Sequence, residues 1–267
     1  MDWLTGLTSA RSTGTAGILA TIIEVRGHSP REAGAKMFVT ADSSSGSIGG
    51  GNMEATVVER ARTMLAAGAD AMAEAEFGLN EHARVAYGTQ CCGGTVRVLL
   101  EPIGRRPTVA VFGAGHVGQE LARILSRNEV TLHLADSRRG IVDDTLAATL
   151  ATGPASVHVH TLPAPETLIA TLPDDAHVLI LTHDHAEDLI LCDAALRRGG
   201  FASIGVIGSS AKWARFRKKL AAEGHPESTI DRIQCPIGAP DFTGKHPAVI
   251  ALSVAADLTR IFQKATP

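Results

Sequence analysis

Thr108 to Ser126 reads TVAVFGAGHVGQELARILS, and this stretch decides the fold. Thr108 to Phe112 is a short run of apolar and β-branched residues, the pattern of a buried parallel strand. Gly113-Ala114-Gly115-His116-Val117-Gly118 follows at once. Val117, Leu121, Ile124 and Leu125 then recur at helical spacing. Strand, G-x-G-x-x-G turn and helix in that order form a dinucleotide-binding context. Gly113 serves the tight turn, Gly115 lets a pyrophosphate approach the backbone, and Gly118 lets helix and strand pack closely. The helix start offers N–H groups and partial positive charge to an anion. A second apolar run, Val130 to Ala135, ends in Asp136, roughly twenty residues on, where an acid would meet a ribose hydroxyl. His116, inside the turn, faces either a ligand or solvent.

Downstream the alternation continues. Asp143–Leu150, Pro165–Leu172, Glu187–Arg198, Ala211–Glu223 and Pro247–Gln263 predict helices, and Val157–Leu162, Val178–Thr182 and Ala202–Ile207 predict strands. Such a series builds a parallel sheet covered on both faces. Ligands of these sheets sit at the carboxyl ends of the strands. The polar residues that fall there are Asp136, His183-Asp184-His185 and Gly208-Ser209-Ser210. His183 to Asp188 shares the first two histidines of the H-x-H-x-D-H signature but has Glu187 and Asp188 where Asp and His belong. These residues are therefore expected to orient a ligand or cap a helix, not to hold a catalytic metal. In Ala211 to Gly224, Trp213, Phe216 and Leu220 share a face, while Lys212, Arg215, Lys218 and Lys219 lie mainly elsewhere. A solvated basic face is the expectation, with a docking surface for an acidic partner as the weaker reading. Cys235 lies in RIQCPIGAP, a rigid turn. The last helix would pack either on the sheet or on the N-terminal region.

Upstream, Gly17–Val25 and Lys36–Thr40 read as strands. Ser43 to Gly51, SSSGSIGGG, leads into a helix with Val57, Val58, Ala61, Met64 and Leu65 on one stripe. Gly51 is the expected N-cap and Glu54 the capping-box acid. The glycine loop is either a flexible cap or an anion cradle. Tyr87 to Glu101, YGTQCCGGTVRVLLE, places Cys91 and Cys92 before Gly93 and a strand. A thiolate is a soft metal ligand and a nucleophile. The spacing is not that of a structural zinc site, and the bland reading is two buried thiols in a turn. Gly104-Arg105-Arg106-Pro107 marks a boundary, dividing the chain into residues 1–104 and 105–267.

The 267 residues suffice for one large or two ordinary domains. A hydrophobic share of 45% with 20% charged residues is ordinary for a globular protein, and a net charge of −3 leaves no nucleic-acid footprint. Neither a leader core nor an apolar run of membrane-spanning length is seen. Cys91, Cys92, Cys192 and Cys235 include two neighbours badly placed for a mutual bridge. A reduced, cytoplasmic setting is expected.

Taken in order, PREAGAKM, SIGGGNME, QCCGG, VFGAGHVG, Asp136-x-Arg138, THDHAED, IGVIGSSAKWARF, CPIG and PAVIALSVAADL make the chain resemble the XdhC/CoxI family. The resemblance covers nearly the whole chain. It implies an α/β protein with an N-terminal α+β domain and a Rossmann-like domain. It further implies an accessory chaperone, more a maturation factor than an enzyme. Such a chaperone binds molybdenum cofactor in its molybdopterin form, supports its sulfuration and inserts it into xanthine dehydrogenase or a related molybdenum hydroxylase. The implied partners are the xanthine dehydrogenase apoenzyme, a cysteine desulfurase and molybdenum cofactor biosynthesis proteins, with a homodimer among the expected assemblies. The implied site comprises Cys91, Cys92, Gly93, Gly113, Gly115, His116, Gly118, Asp136, Arg138, His183, Asp184, His185, Gly208 and Ser209. Cys91 and Cys92 would contact molybdenum through the bound cofactor, and either the pterin or a nucleotide would fill the glycine turn. Two other readings stay open: an NAD(P)-dependent oxidoreductase, and a scaffold that kept the Rossmann half for protein contacts.

Overall fold

The computed structural model describes residues 2–69, 71–79 and 93–265. The chain falls into two units, Met1–Arg106 and Pro107–Pro267. The first is built in the order α1 (Trp3–Thr13), β1 (Gly17–Arg26), β2 (Lys36–Val39), β3 (Ser44–Gly46), α2 (Gly51–Ala66), β4 (Ala73–Gly78) and β5 (Thr95–Ile103). Its five strands form an antiparallel sheet in the order β3-β2-β1-β5-β4. Alternate residues of β1 and β5 (Ile18, Ala20, Ile22, Val96, Val98 and Leu100) point to one face and meet Met53, Val57 and Ala61 of α2. The expected loop at Ser43 to Gly51 thus contains a strand, and α1 and β4 are elements the sequence reading did not include.

The second unit runs β6 (Thr108–Phe112), α3 (His116–Leu125), β7 (Thr131–Asp136), α4 (Asp144–Leu150), β8 (Ser156–Thr161), α5 (Glu166–Ile169), β9 (His177–Ile180), α6 (His185–Arg198), β10 (Ser203–Val206), α7 (Ser210–Ala222), α8 (Glu227–Ile230), β11 (Ile233–Gln234) and α9 (Pro247–Ala265). All its strands are parallel, in the order β11-β10-β9-β6-β7-β8. Numbered from β6, that is the 3-2-1-4-5-6 order of a Rossmann sheet, read from the other edge. The strand order reverses between β6 and β9, so their carboxyl ends frame the crevice where ligands of this fold bind.

Both faces of this sheet are buried, which is why its strands read as unbroken apolar runs. Val109, Val111, Leu132, Leu134 and Leu179 pack under α3 and α9. Ala110, Phe112, Val178, Ile180, Ile204 and Val206 pack under α5, α6 and α7. Each fully buried large aliphatic side chain contributes roughly 1.5–3 kcal/mol. The last helix lies on the Rossmann sheet, with Ala251, Val254, Ala255 and Leu258 in its core beside α3. Among the described residues no helix is long and apolar enough to cross a membrane.

Candidate functional site

The three glycines of the turn each meet a different steric demand. Gly113 has φ +106, and a Cβ there would lie 2.4 Å from the Leu181 carbonyl oxygen at the end of β9. A Cβ on Gly118 would lie 1.9 Å from the Gly113 carbonyl oxygen, so the helix sits that close to the turn only because residue 118 has no side chain. Gly115 meets nothing within 4 Å. Its missing side chain leaves open space in front of α3, whose start carries no side-chain cap. That is the arrangement an anion needs to reach the first N–H groups.

Asp136, the acid at the end of β7, bonds to the turn and to Arg138. It is 2% exposed, and its Oδ2 accepts from the Ala114 N–H at 2.8 Å. The Arg138 backbone N–H and Nε donate to Oδ1 at 2.9 Å each, and Arg138 Nη2 donates to Oδ2 at 2.9 Å. Burial by itself raises the Asp136 carboxyl, but the bonds from Arg138 and Ala114 outweigh it and hold the group below the usual carboxylate range. Since β7 neighbours β6, the acid that ends β7 reaches the turn backbone directly. Asp136 braces the glycine turn and aims Arg138 at the cavity in front of it.

That cavity, about 480 Å³, is lined by Gly115, His116, Gln119, Arg138 and His183, with apolar walls that include Ile141 and Leu181. A second cavity of about 260 Å³ adjoins it and shares Thr182, His183 and Ile207. His185, Gly208, Ser209, Lys212 and Arg215 complete its lining. The Rossmann unit therefore brings Gly115, His116, Arg138, His183, His185, Gly208 and Ser209 around two adjoining cavities. Asp184 is the N-cap of α6 and accepts from the Ala186 N–H at 2.6 Å, so α6 begins two residues earlier than expected. Ser209 caps α7 in the same way, accepting from the Lys212 N–H at 3.2 Å.

Lys212 corrects the expected solvated basic face. It is 6% exposed, and its Nζ donates to Asp188 Oδ2 and, at 2.8 Å, to the Ile207 carbonyl. Asp188 is fully buried, and its Oδ1 accepts from the Thr182 N–H at 3.0 Å and hydroxyl at 2.7 Å. One ion pair thus ties the exits of β9 and β10 to α6 and α7. The sequence carried a signal, since Lys212 is one residue from Trp213 and four from Phe216, at the edge of the apolar stripe. Burial raises the thiols of Cys192 and Cys235, with the nearby Lys212 opposing the rise. Both are poor nucleophiles in this state.

In the N-terminal unit Cys91 and Cys92, the expected molybdenum contacts, lie outside the described residues. Gly93, at φ +73, donates its N–H to the Leu79 carbonyl at 2.9 Å. The glycine loop before α2 is not an open cradle. Glu54 Oε2 accepts from the Ile48 and Gly50 N–H groups at 3.1 and 3.0 Å and from the Ser47 hydroxyl at 2.6 Å. The capping-box acid reaches back as expected, and the N-cap is Gly50, not Gly51.

Three histidines gather away from these cavities. His133 Nδ1 and His160 Nε2 stand 3.1 Å apart with ring planes 9° apart and centroids 5.3 Å apart. Two nearly coplanar rings whose facing nitrogens lie on the line of centres share one N–H···N hydrogen bond. His158 stacks on His133 at 4.9 Å. Among the described residues no group of three or more His, Cys, Asp or Glu has a metal-holding arrangement. Burial, reinforced by His158 and His160, pushes the His133 imidazole down to about 4.

Comparison with known proteins places residues 109–258 in the family described as XdhC Rossmann domain, and residues 10–76 in the XdhC and CoxI family. The uncharacterized protein YqeB of Escherichia coli (strain K12) is 28% identical over 244 residues, 91% of this chain and 43% of YqeB. The chain thus spans less than half the length of that relative. A Bacillus halodurans crystal structure described as a xanthine dehydrogenase aligns over 99% of this chain and 96% of its own, at 19% identity and TM-score 0.49. Cryptosporidium parvum malate dehydrogenase aligns over 43% of this chain and 42% of its own, at 15% identity and TM-score 0.30.

Proposed function

The chain belongs to the XdhC family, and we propose from that premise that it is a maturation factor. In this reading it binds molybdenum cofactor as cargo, supports its sulfuration by a cysteine desulfurase and hands it to the apoenzyme of xanthine dehydrogenase or a related molybdenum hydroxylase. The observation that carries the reading is the braced glycine turn in a Rossmann unit of this family. The Gly115 gap opens at an uncapped helix start, and Asp136 presents Arg138 beside it. These residues fit the phosphate end of the cofactor, since N–H groups and a guanidinium all donate to an oxyanion. The cofactor itself supplies a dithiolene-held metal. The chain binds and orients it, and its apolar walls at Ile141 and Leu181 keep water from one side. Cys91 and Cys92 are the proposed soft contacts to the metal end.

The test is expression in a host that makes the cofactor, followed by assay of molybdenum and released pterin in the purified protein. Near-stoichiometric pterin, lowered by Cys91→Ala and Cys92→Ala, supports the reading. Absence of pterin under loading conditions refutes it.

The Rossmann strand order favours a second reading, in which a nucleotide fills the turn and the chain is an NAD(P)-dependent oxidoreductase. Arg138 would then face a 2′-phosphate, so NADP would bind more tightly than NAD. Saturable NADPH binding with turnover on a substrate panel supports that reading, and no change in NADPH fluorescence on adding the protein refutes it.

A further inference from the structure

The smaller cavity, at the exits of β9 and β10, has a chemistry of its own. Arg215, His183 and His185 line it, and among the described residues none of their side chains makes a hydrogen bond or ion pair. Ser209 accepts at its oxygen from the Lys212 N–H, which leaves its own O–H to donate. The Lys212 ammonium is not directed at the cavity, because Asp188 and the Ile207 carbonyl hold it.

Each carboxylate at this end of the sheet has at least one oxygen bonded to the protein. Asp184 caps Ala186, Glu187 accepts from the Ser137 hydroxyl at 2.7 Å, and Asp188 holds Lys212 and Thr182. The residues lining the space thus carry a guanidinium, two imidazoles and a hydroxyl donor, and Asp184, Glu187 and Asp188 are absent from that lining. A guanidinium repels cations and offers no acceptor, whereas it matches an oxyanion geometrically. Gly208 completes the floor, for a Cβ there would lie 2.8 Å from the Lys212 stem and 3.2 Å from Cys235 Sγ. The cavity adjoins the one at the glycine turn, with Thr182, His183 and Ile207 lining both.

We infer that this cavity is a second oxyanion subsite. It takes an anionic, oxygen-bearing group of an elongated ligand whose phosphate lies at the glycine turn. The inference rests on the cofactor-binding reading of this sheet and adds to it which end of the ligand lies over β9 and β10. The group comes either from a second phosphate or from a metal-oxo head, and the two are separated by the choice of probe.

The experiment uses the full chain with Trp3→Phe, which leaves Trp213 of α7 as the only tryptophan. Trp213 emission is titrated with sodium phosphate and with sodium molybdate at matched ionic strength. A saturable response whose half-point rises about tenfold in Arg215→Ala supports the subsite, with Arg215→Lys in between. Arg215 is exposed and unpaired, so its removal leaves the fold intact. Tighter phosphate marks a nucleotide-like second phosphate, and tighter molybdate marks a metal-oxo head. Titrations of Arg215→Ala and of His183→Ala with His185→Ala that match the parent for both anions overturn the inference, as does no saturable response in the parent. The titrations use protein from a host that makes no cofactor, and pterin is assayed separately in protein from a host that makes it, which separates the two failures. Full pterin with no anion response defeats the subsite alone, whereas anion binding without pterin defeats the cofactor reading alone.

Discussion

Lys212 and Asp188 form an ion pair shut away from water, and through it the backbone just past the carboxyl ends of β9 and β10 is fastened together. Removing one partner leaves the other charged and buried. Lys212→Met is expected to lower stability by about 3–5 kcal/mol, read as a fall in the urea midpoint. Adding Asp188→Asn should restore at least half of that loss, because the stranded charge is gone. A single Lys212→Met variant as stable as the parent would mean that the pair does not hold the strand exits.

The glycines of the turn separate folding from binding. Gly118→Ala drives a methyl onto the Gly113 carbonyl oxygen and should cost about 1–3 kcal/mol or more. Gly115→Ala meets no atom, and its φ of −71 suits alanine. Its cost should stay within about 1 kcal/mol, the usual difference between these residues at an N-cap. Thermal unfolding should therefore rank Gly118→Ala well below Gly115→Ala. Retention of pterin should fall in Gly115→Ala while its melting point holds.

Asp136→Asn keeps the shape of the brace and removes its charge. Bonds to charged groups are worth about 1.5–3 kcal/mol, and an amide can accept at only one oxygen. A loss in that range is expected at pH 7. The folded carboxyl titrates below its unfolded value, so its contribution is present above the ordinary carboxylate range. It is lost as pH falls through the lowered folded value. Urea midpoints of parent and variant should converge as the solution is taken to pH 3 and below.

His133 acts in a different window. Its folded pKa of about 4 lies below the ordinary 6.5, so the fold favours the neutral ring. That stability is complete above pH 6.5 and drains away as pH falls toward 4. His133→Leu should flatten the stability profile between those values. It should leave the carboxylate-driven loss at lower pH unchanged. A profile as steep as the parent's would assign the acid sensitivity of this range to other groups.

Local pattern reached far in this chain. β6, its glycines and α3 were legible because each residue there answers a local demand: an apolar run, a positive φ, a helix start. Asp184 was legible in the same way, since Asp before a helix caps it. α1 carried readable signs in Asp2, which accepts from the Thr5 N–H, and in Gly14 at φ 67. β4 was harder, because in Ala73 to Gly78 the inward residues are mostly alanines, too small to mark a face.

The sequence by itself determined the Rossmann order of elements, the glycine turn and the family, all of which depend on spacing along the chain. Only the tertiary structure decided that Asp136 braces the turn, that Lys212 is buried against Asp188 and that the last helix lies on the Rossmann sheet. Those outcomes depend on which strand neighbours which and on which charge meets its partner. Such contacts join residues some twenty positions or more apart, and no local period records them.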